Sequence, residues 1–128
     1  MGHCVALFGE AEKGQFNTAY FCYSLSELLE NFGNPPKESL GLHFAIQSLL
    51  FNQNLIYFRV EEEGFSVKDY LLGLKFLRKY DQISSISAIC LPGVGSQEVL
   101  KEVTPICQTH NSLLLTSESD LYDFLTAN

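Results

Sequence analysis

At 128 residues the chain has the common size of one domain, and 46% hydrophobic residues, with ten Phe and six Tyr, supply a core without disulfide or metal and exclude a disordered chain. Fifteen acidic against eight basic residues leave a formal charge of −7, and no Lys/Arg cluster reverses that sign locally, so nucleic acid is not an expected partner. No apolar stretch has the roughly eighteen residues of a membrane span, the first residues are not expected to be a secretion signal, and Ala6 stands where a myristoylation motif at Gly2 needs Ser or Thr.

In chain order, Cys4–Phe8 is a short apolar run suited to a buried strand, followed by the loop "GEAEKGQ". Thr18–Tyr23, aromatic and β-prone, predicts a second extended segment. Ser24 then caps a helix with Glu27 as its capping-box partner and Gly33 as its stop, and Pro35 and Pro36 keep the next loop out of helix. Ser39 is the expected cap of a second helix, on which Leu42, Ala45, Ile46, Leu49 and Leu50 recur at helical spacing. "NLIYFRV" predicts a strand ending at the acidic turn Glu61–Glu63, which is expected to be solvated. Ser66 and Asp69 start a third helix with an apolar face, Leu71 and Leu74, and a basic one, Lys75 and Arg78.

The near-continuous apolar run around Ser87–Leu91 predicts a strand covered on both sides. Ser96 caps the helix after it, which Pro105 is expected to bend or end. Leu113–Thr116 is expected to be one more buried strand, and "SESDLYDFL" a last short helix. Strands alternating with helices predict a single α/β domain over residues 1–128, a mainly parallel sheet flanked by helices.

The serial order of these motifs resembles the central α/β region of contractile-tail sheath proteins, those of myophages and related contractile injection machines. Val5–Gly14 matches that family's first strand and acidic-basic-glycine loop; Ser24, Glu27, Phe32 and Gly33 match its first short helix. Ala45, Ile46, Leu50, Phe51 and Asn52 are similar to its amphipathic helix, and Tyr57, Phe58, Arg59 and Val60 to the strand that follows. Leu77, Asp81, Ile89, Pro92 and Gly93 fit its later helix–strand–turn segment. The resemblance implies a structural or assembly role without catalysis, acting through protein contacts. Family members are longer, with terminal arms that add strands to neighbouring subunits. Such arms are not seen at Met1–His3 or after Leu125, so the expectation is a monomer or small closed oligomer that builds no tube alone. The expected contact segment is Thr18–Tyr23, and the expected setting is the cytoplasm or an injection particle.

Little in the chain points to chemistry. Gly9 and Gly14 have P-loop spacing, but Gln15 and Phe16 replace the Lys and Ser/Thr that complete a phosphate cradle, and two glutamates oppose an anion, so the loop is expected to be a connector. The better ligand candidate is Pro92–Ser96, with Gly93, Gly95 and Ser96 at a helix start after a buried strand, where open N–H groups and the helix dipole favour an anion. It carries the alternative to a structural role, a small α/β ligand-binding domain or enzyme. Cys90 with His110 or His43 as base is disfavoured as a nucleophile, because its strand is apolar. His43 is expected to be a partly buried packing residue, His110 solvated, Arg59 at a sheet edge or paired with a nearby carboxylate such as Glu61, and Asp81 a turn cap. Cys4, Cys22, Cys90 and Cys107 lack C-x-x-C or zinc spacing and are expected to be reduced thiols. No metal or cofactor is expected.

Overall fold

The computed structural model describes residues 3–79 and 86–127, so Asp81 lies outside the described residues. Five strands, β1 (His3–Gly9), β2 (Ala19–Cys22), β3 (Gln53–Arg59), β4 (Ala88–Cys90) and β5 (Leu113–Leu115), form one sheet in the order β2-β3-β1-β4-β5. β1 pairs in parallel with β3 and β4, and β4 with β5; β2 joins β3 antiparallel, Tyr20 opposite Tyr57. The fold is the expected α/β domain with a mainly parallel sheet, and the apolar strands explain it. Val5 and Leu7 of β1, with Leu55 and Tyr57 of β3, enter one core layer, while Ala6, Phe8, Ile56 and Phe58 enter the opposite one. Only residues apolar at every position satisfy two covered faces.

The helices are α1 (Leu25–Phe32), α2 (Gly41–Leu50), α3 (Val67–Lys79), α4 (Gln97–His110) and α5 (Glu118–Thr126). α1, α2 and α5 supply Leu28, Phe32, Leu42, Phe44 and Leu121 to the first layer. α3 and α4 supply Tyr70, Leu74, Leu77, Val99, Val103 and Ile106 to the second. The chain therefore goes from β1 to β3 over one face and from β3 to β4 and β5 over the other. This reversal puts a topological switch point between β1 and β4, where open α/β sheets gather ligands at the strands' carboxyl ends.

Four local expectations are corrected. Ser39 does not cap α2: Leu40 is the N-cap residue and its side chain makes no capping bond, because the acceptor comes from elsewhere in the chain. α4 does not end at Pro105 but continues to His110, its buried Val99, Val103 and Ile106 holding the helix on the sheet despite the missing N–H. Leu113 and Leu114 of β5 are exposed and only Leu115 is buried, since this strand is a sheet edge and not an inner strand. His43 is exposed on α2, whose inward positions are taken by Leu42, Phe44 and Ala45.

Candidate functional site

The carboxyl ends of β1, β3 and β4 meet three loops, and one side chain organises them. Glu63 is half-buried, not solvated with Glu61 and Glu62. Its Oε1 accepts from the Glu10 amide at 3.1 Å, the Ser39 hydroxyl at 2.9 Å and the Gly41 amide at 3.0 Å, while Oε2 accepts from the Leu40 amide at 2.7 Å. The Glu63 amide in turn donates to Glu10 Oε2 at 2.9 Å. This carboxylate supplies the missing cap of α2. Free N–H groups and the positive end of the dipole hold the charge as they would hold a phosphate.

Close packing encloses the cluster. Gly9, ending β1, and Gly41, opening α2, lie so near that a Cβ on either would stand 2.6 Å from the other's Cα and 2.5 Å from the Tyr57 hydroxyl. That hydroxyl donates to the Glu10 carbonyl at 3.0 Å, and the Tyr70 hydroxyl accepts from the Gly64 amide at 2.6 Å. Both phenols are held above their ordinary range, first by burial and then, for Tyr57, by the Glu63 carboxylate; for Tyr70 the Gly64 hydrogen bond partly offsets burial. Two neutral buried phenols and two carboxylates tied to backbone amides make a rigid junction.

The Pro92–Ser96 loop borders it. Gly93 has φ 75° and Gly64 φ 87°, and a Cβ on Gly64 would meet the Gly93 carbonyl oxygen at 2.8 Å, so the acidic turn after β3 lies against the turn after β4. Gly93 thus needs its left-handed conformation. Gly95 has nothing within 4 Å of a Cβ and no positive φ, so the turn does not require glycine there. Ser96 N-caps α4, its hydroxyl accepting from the Val99 amide at 3.4 Å, with Glu98 in the first turn. The three sequence candidates sit together at a helix start, and Glu98 adds negative charge beside them.

The other sequence candidates are dispersed. Cys90 is wholly buried on β4, and burial raises its thiol far above the usual range, as it pushes the Cys4 thiol up to about 11. His43 lies on α2 and His110 at the end of α4, on opposite layers of the sheet. Arg59 does not pair with Glu61: its Nη1 donates to the Gly14 carbonyl at 2.6 Å and its guanidinium stacks 4.3 Å from the Phe16 ring centre. The "GEAEKGQ" loop packs against the end of α1. Glu12 Oε1 accepts from the Asn34 amide at 3.0 Å, and the Glu12 and Lys13 amides donate to the Phe32 carbonyl, tying the loop to the end of α1. Among the described residues no three His, Cys, Asp or Glu side chains gather as a metal site requires, and no helix is long and apolar enough to cross a membrane.

Apolar surface is found elsewhere. A groove of about 520 Å³ runs between α2 and α5, floored by Leu40, Phe44 and Leu121 and rimmed by His43, Gln47 and Glu118. A shallower one of about 410 Å³ follows the β5 edge past Leu113 and Leu114 to Phe124. At the β2 edge, Tyr23 is 61% exposed. No protein-family model, curated protein or solved structure matches the chain.

Proposed function

We propose that the protein is a non-enzymatic structural or assembly module that works through protein contacts, in the manner implied by its resemblance to the tail sheath core domain. The natural setting for such a module is a phage or a related contractile injection machine, assembled from the cytoplasm. The observation that carries this reading is the contrast between a closed crevice and open edges. Where an α/β domain of this topology would hold a small anion, Glu63 fills the α2 N-terminus. Apolar side chains are instead exposed along both edge strands, at Tyr23 beside β2 and at Leu113 and Leu114 on β5. Edge strands offer unpaired backbone groups to a neighbouring chain, and flanking apolar side chains add selectivity.

The alternative, a ligand at Gly93, Gly95 and Ser96, draws on the Ser96-capped start of α4. A photo-crosslinking amino acid at Tyr23 or Leu113, with one at exposed Thr104 of α4 as control, separates the two in cells that make the protein. Discrete protein adducts at the edge positions and not at Thr104 are expected. Equal adducts at all three positions, or none at either edge, would overturn the edge-contact reading.

A further inference from the structure

The two helical layers carry opposite charge. α1, α2 and α5 contain no Lys or Arg, but hold Glu27, Glu30, Glu118, Asp120 and Asp123. On the other side of the sheet, α3 carries Lys68, Lys75, Arg78 and Lys79 against Asp69, and α4 carries Lys101 against Glu98 and Glu102. Five of the eight cations in the chain therefore sit on one layer. Arg78 pairs with Glu102 at 3.2 Å, and although Asp69 and Glu98 also carry charge, five cations against three carboxylates leave α3 and α4 together with a formal +2. Lys68, Leu72, Lys75 and Lys79 follow helical spacing along one exposed stripe, with Leu72 41% exposed between lysines. The α2–α5 groove has an apolar floor and one carboxylate, Glu118, on a rim shared with Gln47 and His43, while Asp120 and Asp123 of α5 face the β5-edge groove.

We propose that α3 of one copy docks in the α2–α5 groove of a second copy, Leu72 entering between Phe44 and Leu121 and the lysines that flank it, Lys68 and Lys75, reaching Glu118 on the groove's rim. The contact joins different surfaces of the two copies, so it propagates head to tail and yields a ring or a filament according to the rotation at each step. This names a partner for the protein-contact role and rests on it.

The test is sedimentation velocity of the full chain at about 10 mM salt, where the Debye length is about 30 Å, and at about 1 M, where it is about 3 Å. Concentration-dependent association is expected at low salt, weakened about tenfold or more at high salt, as exposed ion pairs imply. The Lys68→Glu/Lys75→Glu variant should be monomeric at low salt. So should Gln47→Lys/Glu118→Lys, and mixing the two should restore association, because the reversed α3 of the first meets the reversed groove of the second. Leu72→Asp should also be monomeric; all these positions are exposed, so native circular dichroism spectra are expected. Wild-type protein that stays monomeric at low salt, an association indifferent to the reversals, or a mixture that remains monomeric would overturn the proposal. If the wild-type protein stayed monomeric while edge adducts at Tyr23 or Leu113 persisted, the second copy would be excluded as partner while the protein-contact role stood.

Discussion

Glu63→Ala is expected to lower the stability of the fold by about 2–4 kcal/mol, more than any other change of a half-exposed polar side chain in this chain. Four donors lose their acceptor at once: the amides of Glu10, Leu40 and Gly41 and the Ser39 hydroxyl. Each buried donor left unpaired costs about 1–3 kcal/mol, and water entering the half-open site recovers part of the sum. α2 also loses its cap and the charge at its positive end. Urea denaturation would measure the loss. Glu63→Gln should cost less, since one carbonyl oxygen remains to accept. Phosphate or sulfate should stabilise Glu63→Ala more than wild type by occupying the vacated N–H groups. A wild-type-like midpoint for Glu63→Ala would show that the carboxylate does not hold the junction.

The second large effect is steric. Gly41→Ala is expected to cost about 3 kcal/mol or more, although alanine is favoured over glycine in a helix by up to about 1 kcal/mol. The added methyl would lie 2.6 Å from Gly9 Cα and 2.9 Å from Glu63 Oε1, and relief requires α2 to lift from β1. Overpacking against the backbone of a central strand outweighs the propensity gain. Gly95→Ala provides the contrast, because nothing lies within 4 Å of its Cβ. It should be neutral, or stabilising by up to about 1 kcal/mol through a less flexible unfolded chain. Thermal melts of the two variants side by side would check this, at roughly 3–5 °C per kcal/mol for a chain of this size. Similar melting temperatures for both would contradict the close Gly9–Gly41 contact.

The contrast between these residues shows what the sequence makes visible. β1, β3 and β4 were legible because burial on two faces demands apolar residues at consecutive positions, and Val5–Phe8 or Leu55–Phe58 meet that demand. The Ser24 cap and the Ser96 cap were legible because capping is local, three residues from hydroxyl to amide. Glu63 was not, because its acceptors' partners lie 22 to 53 residues away, and within "EEE" nothing separates it from exposed Glu61 and Glu62. A weak signal was present in Gly41, a helix start with no side chain of its own to accept the first amides. The triple leucine of β5 misled for a related reason: a run of apolar residues reads alike on an inner strand and on an edge, and strand order is a long-range property. The charge division between layers was equally hidden, since the chain alternates between faces and mixes in sequence what it separates in space.

Closure of the switch-point crevice by the chain's own carboxylate is tested most directly by amide NMR of the ¹⁵N-labelled wild-type protein titrated with inorganic phosphate and with a magnesium nucleoside triphosphate. The amides of Leu40 and Gly41, held by Glu63, and those of Gly93, Gly95 and Ser96 in the adjoining loop are predicted to stay in place throughout. A saturable shift of Gly95 and Ser96 alone would place a ligand in the adjoining loop, and a saturable shift of Leu40 and Gly41 would show a ligand entering where the Glu63 carboxylate stands and contradict the closure.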